Sequence, residues 1–448
     1  MSVTARRFSV LVGRSVAVLL AAALLAVGSQ AHAQLVNQAV GGVFVDPQGM
    51  IRSATQDELG QLHRIRAEVL STIPEGLDQP AGERKISLRQ LDEAIAKSAA
   101  SGQPLPTEVL VLGGLTRIRY VLVYPEQHDI VLVGPGEPWK LSAGGEYVGA
   151  ESGQPVLLLD DLLVALRAVS SPTPSVLSCS IDPTPEGLQR IRTLSSRLTP
   201  NMNPQQAARA FEQQLGPQVV SVTGVPESSH FARVMVAADY RMKRIAMGLE
   251  PSPVAGLPSF LKFIGSSGGA SLPRWWLAPD YQPPVRDADG LAWELPGGSV
   301  KTMAENDFLD ATGVKRQTGK ADPATQKWAD VMTSKYEELA QVEPVFGQLR
   351  NCMDLAVVAA IMVTHDLPAK AGATFASLMS AEGVEAIALD PPKRVASQAT
   401  LVRKRNWIVA CGGVQINPWS LVEQSRESDA LAQVRSQTSV PAGQWWSN

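Results

Sequence analysis

A chain of 448 residues carrying 40 Lys and Arg against 43 Asp and Glu has a formal net charge of −3, with 45% of its residues hydrophobic. That balance leaves no nucleic-acid footprint. Three cysteines are too few for a disulfide scaffold, and the length fits two or three domains at about 150 residues each.

Residues 1–33 follow the order of a secretory signal peptide. Arg6, Arg7 and Arg14 precede an apolar run from Val16 to Val27, and Ala31-His32-Ala33 forms an A-x-A site before Gln34. The run is shorter than the roughly 20 residues a membrane span needs. Phe8 directly after Arg6-Arg7 departs from the twin-arginine pattern, and Gln34 is not the cysteine of a lipoprotein. The expectation is an exported chain, periplasmic or extracellular, with no transmembrane segment after cleavage.

Residues 34–172 read as an N-terminal α+β domain. A hairpin is expected from Gly41 to Ile51 and amphipathic helices over Asp57–Thr72 and Ser87–Ala99, the second capped by Ser87. Two strands, Tyr120 to Tyr124 and Ile130 to Val133, flank Pro-Glu-Gln-His-Asp, and Asp160 opens a helix to Ala168 where its dipole favours acids. His128-Asp129 at the hairpin tip is read as turn chemistry, since one His beside one Asp is no ligand set. The glycine-rich stretch Gly134–Trp139 lacks the spacing and lysine of a phosphate cradle.

Ser170–Ser175 reads as a linker, and residues 173–260 as a small α/β module. A strand around Cys179 and helices over 184–198 and 203–215 lead to the densest polar constellation of the chain, within Gly216–Pro251. There Val219, Val220 and Val222 form a strand, Glu227-Ser228-Ser229 a cap, and Phe231, Val234, Met235, Ala238 and Met242 an apolar helical stripe. His230, Arg233, Arg241 and Arg244 fall on the opposite face, with Asp239 and Lys243 paired at i,i+4. One reading makes His230, Arg233, Asp239, Arg241 and Lys243 a binding surface for an acidic group. The other makes them a solvated face whose ion pairs contribute little.

Residues 261–427 read as a C-terminal α+β domain, with 428–448 a polar tail, disordered apart from its last tryptophans. Gly265–Gly269 fits G-x-S-x-G around Ser267, but Ala-Ser-Leu-Pro273 does not start the helix a nucleophile elbow requires. Ser259-Phe-Leu-Lys262 fits S-x-x-K without the partner motifs. Trp275 and Trp276 fall on opposite faces of one strand, and an exposed tryptophan suits sugar rings. Asp322 and Pro323 cap a helix to Ala340. Pro344 opens the next, whose stripe of Val345, Leu349, Cys352, Met353, Ala356, Val357, Ala360 and Ile361 makes this domain's core. Val384–Leu389 and Trp407–Ile416 read as strands, the second broken at Gly412-Gly413, and His365-Asp366 as the end of the long helix. Cys352 is a buried thiol by this pattern. Cys179 and Cys411 are then the pair that could bridge in an oxidising compartment.

The runs SSHFARVMVAADYRMKRIAMGLEP, GGVFVDPQGMI, GLTRIRYVLVYPEQHDIVLVGPGEPW, LLLDDLLVALRAV and YEELAQVEPVFGQLRNCMDLAVVAA resemble a family of exported planctomycete proteins that is a domain of unknown function. The resemblance spans most of the chain after the leader. It implies export and a shared fold, and brings no activity or catalytic residue with it.

The fold expected is α+β, with several mixed α/β modules in series and a helical hairpin packed on strands in the C-terminal domain. No HExxH, CxxC, Walker A or dinucleotide fingerprint occurs, so neither cofactor nor metal is expected. The leading functional expectation is a non-enzymatic envelope protein that binds or scaffolds a partner, either a protein or an envelope polymer. The second is a hydrolase acting on an envelope polymer through Asp and Glu residues the sequence does not single out.

Overall fold

A computed structural model describes residues 39–46, 48–53, 73–142, 144–172, 175–197, 203–264, 272–309, 315–317, 319–380, 388–402 and 406–448. The leader, the helix expected at 57–72, Ser267 and most of the strand expected at 384–389 lie outside these residues.

Among the described residues, β-branched and aromatic runs between turn signals assemble into two large sheets. The larger has ten strands, in the order Ala39–Val40, Val43–Val45, Met50–Ser53, Arg394–Val395, Gln218–Thr223, Leu177–Asp182, Cys411–Ile416, Leu272–Tyr281, Gly298–Leu309 and Lys315–Gln317. Its middle strand, Leu177–Asp182, is antiparallel to both neighbours, with Val220 opposite Ile181 and Val414 opposite Cys179. Cys411–Ile416 then runs parallel to Leu272–Tyr281. The class is α+β, and all three segments between 34 and 427 send strands into this one sheet.

The second sheet has seven strands, in the order Arg426–Glu427, Val285–Arg286, Ala292–Glu294, Tyr120–Tyr124, Asp129–Gly136, Ala81–Ser87 and Trp446–Ser447. Its central strands are buried on both faces by alternation. Val121, Val123, Ile130 and Leu132 join the main core, while Tyr120, Leu122, Tyr124, Val131 and Val133 meet Leu431, Val434 and Val440.

The longer helices are α1 (Leu88–Ser101), α2 (Leu159–Val169), α3 (Pro185–Arg197), α4 (Pro204–Leu215), α5 (His230–Ala246), α6 (Pro323–Val342), α7 (Pro344–Thr364) and α8 (Ala430–Gln437). Local signals set their starts. Ser87 Oγ accepts from Gln90 N, and Asp322 accepts from Ala324 N and Thr325 N ahead of Pro323. Only Glu343 separates α6 from α7, and Tyr336 Oη bonds the Phe346 carbonyl across the corner at 2.9 Å. The α7 helix is long and apolar enough to cross a membrane, but its apolar window is wholly buried against α2, α5 and α6. Each Leu, Ile or Val it buries contributes about 1.5–3 kcal/mol.

Three local expectations meet a different outcome. The 428–448 tail is ordered: α8 covers the second sheet, and Trp446–Ser447 adds an edge strand opposite Ile86 and Lys85. The strand expected over 407–416 breaks at Ala410 instead of at the glycines. Asn406–Val409 pairs with Ala399–Val402, and Cys411–Ile416 joins the large sheet. Gly412 stays in that strand with φ of 105°, where a Cβ would strike the Trp275 carbonyl. Finally, Cys179 and Cys411 remain thiols. Val414 stands opposite Cys179, so Cys411, three places away, faces the other side of the sheet. The two thiols belong to different hydrophobic clusters.

Candidate functional site

The α5 helix begins where Ser229 Oγ accepts from Ala232 N at 3.1 Å, as its sequence predicts. Its apolar stripe is buried, but so is the polar side. Arg233 is 3% exposed, and Asp239 and Lys243 are wholly enclosed. The exposed binding face expected of His230, Arg233, Asp239, Arg241 and Lys243 is therefore not formed. The helix lies between the strands Leu177–Asp182 and Cys411–Ile416 on one side and α2 and α7 on the other, which leaves almost none of its surface to water.

Each polar group on α5 is instead tied to the interior. His230 Nδ1 lies 3.0 Å from both carboxylate oxygens of Asp161, whose other neighbour is the Cys352 thiol. Arg233 donates from Nε and Nη2 to the Asp390 carbonyl at 3.1 and 2.5 Å, and burial pulls its pKa down to about 10 against the pull of Asp390. Arg241 joins Glu250 at 2.7 Å and Glu343 at 3.1 Å, and Arg244 holds the second oxygen of Glu250 at 3.0 Å.

The Asp239–Lys243 pair is the most enclosed. Lys243 Nζ donates to Asp239 Oδ2 at 2.8 Å and to the carbonyls of Ile181 and Gly412 at 2.9 Å each. Three acceptors match the three N–H bonds of an ammonium, which welds two strands to the helix. Burial pushes the Asp239 carboxyl up to about 7 in spite of Lys243, and its Oδ1 has no hydrogen-bond partner among the described residues. A lysine so saturated is a structural tie, with no lone pair directed at a ligand.

The other singled-out residues are also absorbed by the fold. Asp129 is buried, accepting from Ser87 Oγ at 2.5 Å and Arg89 N at 2.9 Å, while His128 turns away to Ala371 O at 3.2 Å. Ser259 precedes a short 3-10 turn, Phe260–Lys262. His365 stacks on Trp293 with ring centroids 4.4 Å apart. Trp275 is core, donating to Thr325 O and packed 4.6 Å from Trp328, and Trp276 is half-buried on the opposite face under Arg274. Among the described residues, no group of three or more His, Cys, Asp or Glu is placed to hold a metal.

Open space lies elsewhere. A cleft of about 730 Å³ opens at one end of the central strands of the second sheet, between the first turns of α1, the 125–127 turn and a strap over residues 438–443. Arg89 and Glu93 line it from α1, paired at 2.8 Å by their i,i+4 spacing. Glu126 and Gln127 line it from the turn, and Arg435, Ser436 and Ser439 from the end of α8 and the strap.

The strap is fixed from below. Tyr124 Oη donates to the Thr438 carbonyl at 2.8 Å, with the Arg435 carbonyl at 3.1 Å. Gln90 Nε2 donates to the Pro441 carbonyl at 2.7 Å, and Ser87 N to the Trp445 carbonyl at 2.8 Å. Burial pushes the Tyr124 phenol up to about 12 despite nearby Arg435, so it remains a donor at neutral pH. Sequence reading missed this site because no two of its walls are neighbours in the chain. The hairpin tip Pro-Glu-Gln-His-Asp was its one local signal.

A family model described as "Protein of unknown function (DUF1598)" matches residues 179–260, which run from the middle strand of the large sheet through α5. The similarity over that stretch is to an uncharacterised family. No curated protein and no solved structure matches the chain.

Proposed function

We propose that this is an exported, non-enzymatic binding protein of the cell envelope, and that the cleft beneath the 438–443 strap receives its partner. The observation that carries the reading is the cleft itself. It offers about 730 Å³ of room, with guanidinium, carboxylate, amide and hydroxyl groups converging from three parts of the chain. Its described lining holds two serines and two glutamates but no histidine to act as base to a serine, and no cysteine. Export is supported by the order of charges, apolar run and A-x-A site in residues 1–33.

The test is a pull-down from native envelope extract with the 34–448 chain, beside an Arg435→Ala/Glu126→Ala variant shown to be folded by circular dichroism. A stoichiometric partner held by the wild type alone is the expected result. The same partner on both proteins removes the cleft from the account, and no partner on either removes the binding reading.

A second reading, a hydrolase acting on an envelope polymer, draws on one observation: Glu93 and Glu126 line the cleft from different walls. It requires release of new reducing ends from envelope polymers by the wild type and not by Glu126→Gln. Absence of such release in the wild type ends it.

A further inference from the structure

We infer that the cleft takes an uncharged glycan segment. This rests on the binding reading above and names its ligand class. Charge is the first argument. The lining carries two guanidiniums, Arg89 and Arg435, and two carboxylates, Glu93 and Glu126, so it carries no net charge. Arg89 is already engaged by Glu93. An acidic polymer would meet both glutamates and a basic one both arginines, and like charges brought together in a cleft oppose binding. A ligand without charge meets neither penalty.

Geometry of the polar groups is the second argument. Arg, Glu and Gln side chains are planar and present paired donors or acceptors, which span the adjacent hydroxyls of a sugar ring. Glu126 and Gln127 place such groups at the exposed rim, and Ser439 adds a hydroxyl there. Beside them exposed Ala442 supplies an apolar contact for the C–H face of a ring, next to Val440, which packs on the second sheet. The volume lies within the roughly 300–1,000 Å³ of small-molecule clefts, enough for a short segment of polymer.

Main-chain pairing on the strap weighs against an extended peptide at two of its positions. An extended peptide binds by adding a strand to an exposed row of main-chain groups. On this strap the main-chain groups of Thr438 and Pro441 are occupied or missing. Thr438 N donates to Val434 O at 3.1 Å, and its own carbonyl accepts from Tyr124. Pro441 has no N–H, and its carbonyl accepts from Gln90. The side chains around those two residues are the set suited to hydroxyls.

The experiment is calorimetric titration of the 34–448 chain with neutral hexasaccharides (α-1,4-glucan, β-1,4-glucan and β-1,4-mannan), with hexagalacturonate as the acidic probe and a mixed-sequence decapeptide as the peptide probe. Two variants at exposed positions accompany it: Glu126→Ala/Gln127→Ala, and Ala442→Trp, which fills the cleft. At least one neutral hexasaccharide is expected to bind, at least tenfold more weakly to the double variant and not measurably to Ala442→Trp. Binding of hexagalacturonate or the peptide alone, abolished by Ala442→Trp, overturns the glycan class and leaves the binding reading standing. A pull-down partner lost with the cleft variant, in the absence of any neutral-glycan binding, does the same. No binding by any probe and no partner overturns both.

Discussion

Lys243 shows how one side chain can hold three pieces of chain together, since its acceptors belong to α5 itself and to two strands of the large sheet. Lys243→Met keeps the length and removes the charge, leaving Asp239 enclosed without its counter-ion. Breaking one side of a buried pair costs about 3–5 kcal/mol, so a loss of that size is expected in urea unfolding. Asp239 sets a pH dependence of definite sign. Its carboxyl titrates near 7 in the fold and near 4, the ordinary value of about 3.9, when unfolded. Between those values the folded chain holds a proton the unfolded chain has released. The contribution is therefore complete below about pH 4 and is lost as pH rises through 7. Asp239→Asn removes the titration. Urea midpoints from pH 4 to 8 are expected to fall more steeply for the wild type than for the variant, and parallel profiles would contradict the burial described for this carboxyl. Burial also raises the Cys179 and Cys352 thiols. Thiol titration with a disulfide reagent is accordingly expected to find no fast-reacting group in the native chain and three in denaturant; two missing thiols in denaturant would show that a bridge forms.

At the scale of elements, what was legible in the sequence was local. Ser87 and Asp322 could be read as caps because the groups they bond lie two or three residues away. The α7 stripe could be read because its period is a property of one helix. The fate of the α5 charges could not. Their partners Ile181 O, Asp390 O and Gly412 O stand 62, 157 and 169 residues from the side chains they bind, and a polar stripe at helical spacing looks the same whether it meets water or carbonyls. The tail misled for a related reason. Leu431, Val434 and Val440 are sparse among polar residues, yet they cover one face of the second sheet and set the strap over the cleft. Leu431→Ala is expected to cost about 2–5 kcal/mol as a buried leucine truncation. It is also expected to expose the amides of Tyr120–Tyr124 and Asp129–Gly136 to faster hydrogen exchange. Unchanged exchange there would mean that α8 is not what shields that face.

At the scale of the molecule, the large sheet interleaves segments that are distant in the chain. The stretch that matches the uncharacterised family, residues 179–260, contains the middle strand and α5 but neither Cys411–Ile416 nor Arg394–Val395, which pair with its two strands. A 173–260 fragment would thus expose two strand edges and leave Lys243 without its Gly412 acceptor. It is expected to lack a cooperative unfolding transition, whereas residues 34–448 are expected to unfold with coincident fluorescence and circular-dichroism midpoints. A fragment with dispersed amide resonances and a sharp melt would contradict this.

The middle strand has one more consequence, for the making of the protein. Leu177–Asp182 finds its second partner only when Cys411–Ile416 has left the ribosome, and the Met50–Ser53 edge waits for Arg394–Val395. At about 5–20 residues per second, the gap of roughly 230 residues between the central strands corresponds to some 10–45 seconds of synthesis. Through that interval Leu177–Asp182 is paired on one side only, by Gln218–Thr223, and the nascent chain cannot complete the sheet.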